Sequence, residues 1–370
     1  MSCCYLLKER NNSNEYHSQS IPCLLSAIQE LDRAIVFAGA PERLDLIHDL
    51  IETLRHQLII PKSAVYGCLL ESATSDRQQC GPTSMPVPRV HIQNLLFSDF
   101  TTPFIIPGAI SDWPAISDPD HAWNSIDYLL SVAGPGRIIP VEIGNDYRVD
   151  NWSQKMMPWE VFLCSLRTSD AIQKDEKVYL AQHSLLTQFP KLRDDILIPD
   201  LVYIVPETRE AGHKPPSNED RLIINAWLGP KGTISPAHKV SPHLYSSSII
   251  QQFSSHRTRT SIVTVSRRHL VMDTSSSFLV AQVVGSKSVW LAPPKFADEM
   301  YPLPSALGLA NTTSVDVFQP DASQHPLFLQ EVVPKAMVIT LQPGDLLFFP
   351  PGWWHSMRSE STSFSISFWF

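Results

Sequence analysis

The chain has 370 residues and a mass of 41.5 kDa, which is long for one average domain and comfortable for two. Hydrophobic residues make up 43% and charged residues 18%, so the composition supports a sizeable core and excludes disorder of the whole chain. The 29 Lys and Arg against 37 Asp and Glu give a formal net charge of -8, which disfavours a general nucleic-acid coat because phosphate backbones need clustered positive charge.

We expect neither a signal peptide nor a membrane span. No apolar run approaches the roughly 20 residues that cross a bilayer, and residues 1–8 lack a basic region followed by an apolar core. The six cysteines lie at positions 3, 4, 23, 68, 80 and 164, and none forms a Cys-x-x-Cys pair. This usage predicts free thiols in a reducing compartment rather than a disulfide framework or a zinc module.

The N-terminal part is predicted to be mostly helical. Apolar residues recur at three- and four-residue spacing from Leu24 to Ile35 and again from Leu44 to Leu54. The stretch 71–88 is polar and contains several serines and prolines, which is typical of a linker. We therefore divide the chain into a helical region at 1–70, a linker at 71–88 and a second domain at 89–370.

Beyond Val90 the pattern changes to short apolar runs separated by turns that contain Pro and Gly, with one helix predicted at 159–166 behind Pro158. The segment 363–369 alternates up to its last residue, so one face is predicted to be buried and the other lined by small hydroxyls. Many short strands of this kind indicate a sandwich or a double-stranded jelly roll. The predicted strands lie at 104–108, 138–144, 222–228, 277–291, 337–341, 346–350 and 363–370.

Two histidines stand at the ends of predicted strands. His238 follows a strand and its turn, and His355 follows a buried strand and a second turn. Two histidines and one carboxylate on one face of a metal leave three open positions, which is the facial triad of non-haem Fe(II) oxygenases. Because the chain has 13 histidines, the spacing alone also fits two hydrogen-bonded histidines without a metal.

From residue 87 onwards the chain resembles the JmjC-domain 2-oxoglutarate oxygenases, and it is most similar to the group of jumonji-domain-containing protein five, also called lysine demethylase eight. The resemblance covers about three quarters of the chain, in order. It implies an α+β fold in which a helical N-terminal segment precedes a double-stranded β-helix, a cupin-like jelly roll. The matching segments are 87–91, 110–114, 141–147, 179–183, 225–230, 232–238, 311–317 and 344–369.

The resemblance implies a role for several individual residues. His238 and His355 would bind Fe(II), and Lys287 would pair with the distal carboxylate of 2-oxoglutarate. Tyr147 and Ser235 would hydrogen-bond the same co-substrate. Trp227 and Trp369 would form walls of the pocket. The alternatives are a solvated hairpin lysine for Lys287 and ordinary core positions for the two tryptophans.

The chain departs from the family pattern at the third iron ligand. The family has His-x-Asp, whereas here His238 and Lys239 are followed by Val240, and valine cannot bind iron. The 33 residues at 240–272 contain no Asp or Glu and four arginines, which is foreign to an acidic chain. Without them, Lys239 would be followed by Asp273, which restores His-x-Asp. The segment is either a retained intron, which we favour, or a genuine insertion, after which Asp273 either reaches the metal or does not.

A second departure concerns the asparagine that the family places near the co-substrate, because Ser277 or Phe278 occupies that region here. Even so, the resemblance implies Fe(II)- and 2-oxoglutarate-dependent oxidation of a protein side chain, either arginyl hydroxylation or histone lysine demethylation. The alternative is a catalytically inactive binding module. The implied partner is a protein or peptide, a histone or a ribosomal protein among the candidates, without direct contact to nucleic acid or a membrane, in the nucleus, the cytoplasm or both.

Overall fold

Two β-sheets form the body of the protein and enclose a shared apolar interior, to which both contribute side chains. The computed structural model describes residues 17–40, 42–58, 66–70, 85–91, 93–94, 100–144, 148, 152–167, 177–203, 216, 218–239, 277–304 and 309–370. The strands are β1 Met85–Pro86, β2 Phe104–Ile106, β3 Ile138–Ile143, β4 Ser153–Pro158, β5 Val178–His183, β6 Ile223–Gly229, β7 Ile234–His238, β8 Phe278–Val284, β9 Lys287–Ala292, β10 Met337–Leu341, β11 Leu346–Phe349, β12 Trp354–Ser359 and β13 Ser363–Trp369.

The strand order is that of a jelly roll. The smaller sheet has the order β1-β10-β9-β12-β7, and the larger sheet has the order β2-β11-β8-β13-β6-β5-β3-β4. Neighbouring strands pair antiparallel, apart from the parallel pair of β1 and β10. The α+β fold with a cupin-like jelly roll, predicted from the sequence, is therefore confirmed.

Strand β13 shows how the sequence sets the two faces of the larger sheet. Phe364, Ile366 and Phe368 belong to the apolar core on the outer face of that sheet, where the helices also pack. The alternating residues Ser365 and Ser367 have the opposite orientation, towards the interior between the sheets. The predicted division of β13 into a hydroxyl-lined face and an apolar face is present, and both faces are buried.

The helices occupy the outside of the larger sheet and the N-terminal part of the chain. The predicted helix at 159–166 is confirmed as α5, which begins directly after Pro158. The helices are α1 His17–Ala38, α2 Leu44–His56, α3 Pro114–Ser117, α4 Ile126–Ala133, α5 Trp159–Arg167 and α6 Leu185–Gln188, with short 3-10 segments at Pro190–Asp195, Asp200–Tyr203 and Val333–Lys335 and a π segment at Phe328–Val332.

A buried carboxylate fixes α1 to the larger sheet. The side chain of Asp32 is fully buried and accepts hydrogen bonds from Arg137 Nε and Nη2 at 3.0 and 2.7 Å. It also accepts from Gln188 Nε2 at 2.7 Å and from the backbone N–H of Ile138 at 2.9 Å. Arg137 and Ile138 lie at the start of β3, so the N-terminal helix is part of the same folded unit as the jelly roll.

The described residues reach into the end of the predicted linker 71–88. Met85 and Pro86 form β1 and pair with β10, so this end of the linker belongs to the sheet, whereas residues 71–84 lie outside the described residues. Among the described helices, none is long and apolar enough to cross a bilayer. The described cysteines Cys23, Cys68 and Cys164 are free thiols.

Candidate functional site

His238 and His355 lie side by side at one end of the interior. His238 is the last residue of β7 and His355 the second residue of β12, and the antiparallel pairing of these strands sets the two residues directly opposite each other. The centroids of the two imidazole rings are 4.3 Å apart. The structure thus brings together two residues that are 117 positions apart in the chain.

The two imidazoles are held in the form that binds metals. Nδ1 of His238 is 2.8 Å from the carbonyl oxygen of Pro236, and Nδ1 of His355 is 3.2 Å from that of Trp353. A backbone carbonyl can only accept, so each Nδ1 carries the proton and each Nε2 keeps its lone pair. Burial lowers the pKa of both imidazoles, and the neighbouring His238 lowers the pKa of His355 further. Neutral imidazoles with an oriented Nε2 fit two of the three ligands of a facial Fe(II) site.

Some residues predicted to bind the metal or the co-substrate are outside the described part of the chain. Asp273 and Tyr147 are among them, as is the stretch 240–272. Within the described ranges, no group of three or more His, Cys, Asp or Glu side chains is placed to hold a metal. The ligand role of Asp273 therefore stays a prediction.

The chain is firmly held up to the point where the stretch 240–272 begins. The backbone N–H of Lys239 donates to the carbonyl of Asn311 at 2.9 Å, and the Asn311 side chain donates back to the carbonyl of Lys239 at 2.8 Å. The Lys239 ammonium lies 4.8 Å from the ring centroid of Trp354. The segment 311–317, which carries part of the resemblance, thus fixes the backbone that follows His238.

Lys287 is a buried cation in the interior. It begins β9 on the same face as Val289 and Leu291, which belong to the apolar cluster between the sheets, and only 2% of its surface is exposed. In the described part of the chain its ammonium group makes no hydrogen bond or ion pair. Burial lowers the pKa of Lys287 to about 7. The structure excludes a solvated hairpin lysine, and a buried cation without a partner fits an anionic ligand such as a carboxylate.

The two predicted tryptophans are joined through one serine. The indole N–H of Trp227 donates to Oγ of Ser367 at 2.9 Å, and the indole N–H of Trp369 donates to the same oxygen at 3.2 Å. Trp227 is half-buried and Trp369 is buried, so both line the interior rather than the outer apolar core. The predicted wall residues are thus oriented by Ser367, a contact between strands β6 and β13 that no motif in the sequence indicates.

Ser235 has a partner that our sequence analysis did not single out. The side chain of the buried Tyr179, on β5, is hydrogen-bonded to the side chain of Ser235, and burial raises the pKa of the Tyr179 phenol. Gly229 makes room for the phenol ring, since a Cβ at this position would lie 2.6 Å from it. A tyrosine between two apolar residues, Val178 and Leu180, in one of the segments that carry the resemblance, was the available signal.

An aromatic wall stands next to His355. The ring of Phe349 lies 4.9 Å from the His355 ring, and the ring of Phe278 lies 5.9 Å from it. Phe278 also contacts Trp369 at 4.8 Å. The neighbouring Ser277, which is buried, exchanges backbone hydrogen bonds with Phe370. The second departure from the family pattern therefore lies at the end of the interior that holds the two histidines.

A family model and several curated proteins match this chain. The model described as a cupin-like domain matches residues 94–370. "Jumonji C domain-containing protein 5" of Drosophila melanogaster is 34% identical over 304 residues, which are 81% of this chain and 62% of that protein. "Lysine-specific demethylase 8" of Danio rerio is 36% identical over 76% of this chain and 58% of that protein. "Lysine-specific demethylase JMJ30" of Arabidopsis thaliana is 34% identical over 72% of this chain and 49% of that protein. The chain thus spans about half to three fifths of the length of these relatives.

Proposed function

This chain belongs to the cupin-like family of JmjC domains, and from that membership we propose that it is an Fe(II)- and 2-oxoglutarate-dependent oxygenase that oxidises a protein side chain. One observation carries the proposal: two neutral imidazoles share an interior with a buried lysine, and within the described ranges neither their Nε2 atoms nor the lysine ammonium has a partner. Fe(II) would supply the oxidation chemistry. His238, His355 and Asp273 would hold it, in a domain that extends over residues 89–370 with an insert at 240–272 and follows the helical region 1–70.

The chain's own residues would bind and orient 2-oxoglutarate. Lys287 would receive the distal carboxylate, since no described side chain supplies a counter-charge to its ammonium. Ser235 would hydrogen-bond the co-substrate together with Tyr179, its side-chain partner. Trp227 and Trp369 would exclude water from the methylene groups of the ligand. Tyr147 stays a proposed co-substrate residue outside the described part of the chain.

We expect the affinity for 2-oxoglutarate to fall as the pH rises above 7. Burial lowers the pKa of Lys287 to about 7, so the free protein loses the ammonium charge as the pH rises through that value. Only the charged form pairs with a carboxylate, so Kd should be constant well below pH 7 and rise by up to about tenfold per pH unit above it. Calorimetric titration of the Mn(II)-loaded protein between pH 6 and 8.5 measures this dependence without turnover.

Two controls isolate Lys287 in that titration. Lys287→Ala should bind 2-oxoglutarate about 100-fold more weakly, because the carboxylate is left buried without its cation, and its Kd should no longer rise above pH 7. The ligand 2-oxopentanoate, which lacks the distal carboxylate, should bind parent and variant alike. A pH dependence that persists in Lys287→Ala would contradict the assigned role.

We propose that the substrate is a basic protein side chain. Glu142 lies opposite Tyr179 in the pairing of β3 with β5, so both side chains point to the same side of the sheet. Burial raises the pKa of the Glu142 carboxyl, which accepts a hydrogen bond from the indole of Trp152 at 3.3 Å. Burial disfavours the charged carboxylate, so an arginine or lysine side chain beside it would offset that penalty, which favours a basic substrate.

Mass spectrometry of peptide substrates distinguishes the two reactions. Histone and ribosomal-protein peptides, with arginine or with methylated lysine, would be incubated in air with the protein, Fe(II) and 2-oxoglutarate, so that dioxygen is the oxidant. Hydroxylation of arginine appears as the gain of one oxygen atom, whereas demethylation of lysine appears as the loss of a methyl group with release of formaldehyde. If no basic peptide shows either mass change, the proposed substrate class is contradicted. We place this activity in the nucleus, the cytoplasm or both.

The interrupted motif favours a second candidate function. Val240 follows His238 and Lys239, and Asp273 comes only after the 33 intervening residues. If the carboxylate does not reach the histidines, metal affinity is low and the jelly roll serves as a binding module for a protein partner. In that case the protein would bind basic peptides without oxidising them.

A further inference from the structure

We propose that Asn225 and Ser367 form a donor pair that binds the metal-proximal carboxylate of 2-oxoglutarate. The two residues are direct partners in the pairing of β6 with β13. Their exposed fractions are 3% and 4%, and both lie on the interior face together with Trp227 and Trp369. This inference rests on the proposed function and adds to it two residues that the sequence analysis did not assign.

The hydroxyl proton of Ser367 has no acceptor among the described residues. A serine hydroxyl has two lone pairs and one proton, and the indoles of Trp227 and Trp369 take both lone pairs at 2.9 and 3.2 Å. The hydroxyl proton must therefore be directed to another oxygen. Within the described structure the Ser367 hydroxyl makes no other hydrogen bond.

Asn225 has an unpaired donor beside it. Among the described residues, its Oδ1 receives only a long contact of 3.5 Å from the hydroxyl of Ser184, and its buried Nδ2 has no partner. A buried donor without an acceptor lowers the stability of a folded protein, so the Ser367 hydroxyl and Asn225 Nδ2 together indicate a bound acceptor. Because both groups can only donate, the complementary ligand is an oxygen that carries no proton, as in a carboxylate.

The position of the pair selects which carboxylate it binds. Trp369, two residues beyond Ser367, contacts the ring of Phe278, and Phe278 contacts His355. Ser365, two residues before Ser367, donates a hydrogen bond to the side chain of Gln282. The Gln282 amide in turn donates to the carbonyl of Gly285, in the turn that leads into Lys287. Ser367 therefore lies between the histidine end and the lysine end, with strand steps of about 7 Å on either side. With the distal carboxylate at Lys287, the pair faces the other end of the co-substrate.

Binding of two ligands by the Mn(II)-loaded full chain tests this assignment. Asn225→Leu keeps a similar volume and removes the donor, so Kd should rise about tenfold for both 2-oxoglutarate and 2-oxopentanoate. Asn225→Asp, which is nearly isosteric, should weaken both ligands at least as much because two carboxylates repel. Asn124→Leu is the matched control. The Asn124 amide lies outside the interior, where it is hydrogen-bonded to the backbone of Leu70, so its loss should leave both Kd values unchanged.

Each contrary result has its own meaning. Unchanged Kd values in both Asn225 variants, with melting temperatures near that of the parent, would overturn the donor pair and indicate that water satisfies it. A loss for 2-oxoglutarate but not for 2-oxopentanoate would place Asn225 at the distal carboxylate and overturn the assignment. A parent protein that binds neither ligand would overturn the proposed function itself, and this inference with it.

Discussion

Replacement of His355 with alanine is expected to lower the affinity of the protein for Fe(II) by about 100-fold or more and to abolish succinate formation. Loss of a group that merely orients a metal ligand costs about 10- to 100-fold in affinity, so loss of the ligand itself should cost at least as much. Only the Nε2 lone pair of His355 is available to bind the metal, because Nδ1 is hydrogen-bonded to the carbonyl of Trp353. Titration with Mn(II) in place of Fe(II), followed by electron paramagnetic resonance, measures the loss of metal affinity.

His238→Ala should have an equal effect, because the two imidazoles lie opposite each other and share the proposed role. His56→Ala is the matched control, since this histidine lies at the end of α2 with 78% of its side chain exposed. It should leave metal affinity unchanged. If His355→Ala folds and binds Mn(II) as tightly as the parent, the two histidines do not form a metal site.

Replacement of Asp32 with alanine is expected to lower the free energy of unfolding by about 3–5 kcal/mol. Removal of one partner from a buried ion pair leaves the other charge without compensation, which costs about that amount. Loss of the Asp32 carboxylate removes a hydrogen-bond acceptor from the guanidinium of Arg137, which is 4% exposed, and from the amide of Gln188, which is fully buried. Denaturation with urea, followed by circular dichroism, measures the change.

Glu30→Ala provides the comparison for Asp32 on the same helix. Glu30 pairs with Arg33 at the surface, with 65% of its side chain exposed, and such pairs contribute about 0–1 kcal/mol. Because Asp32 joins α1 to β3, the parent should unfold in a single transition and Asp32→Ala should unfold at lower urea. An Asp32→Ala variant as stable as Glu30→Ala would show that α1 does not contribute to the stability of the jelly roll.

The sequence predicted the parts of the fold that depend on local patterns. The alternation of serine with phenylalanine and isoleucine in β13 predicted its two faces, and Pro158 predicted the start of α5. The network around Asp32 could not be predicted, because Arg137 is 105 residues away and neither charge stands out in the sequence. Ion pairs of this kind depend on the packing of a helix on a sheet, which no spacing along the chain encodes.

The candidate site divides in the same way. His238, His355 and Lys287 were named through a family resemblance, and the structure places all three in one interior. The roles of Tyr179 and Ser367 depend on which residues meet across strands. The pairings of β5 with β6 and of β13 with β8 each contain a shift in register, so positions cannot be counted across them from the sequence. Tyr147 and Asp273 stay predictions, since both lie outside the described residues.

The measurement that tests the central claim most directly is succinate formation from 2-oxoglutarate with and without Fe(II). It would be made on the full chain and on a variant that lacks residues 240–272, in which Lys239 is followed by Asp273. We expect Fe(II)-dependent succinate from the shortened chain, and from the full chain as well if Asp273 reaches the two histidines. Absence of Fe(II)-dependent succinate from both chains, when both are folded, would contradict the oxygenase and leave the binding module as the function of this jelly roll.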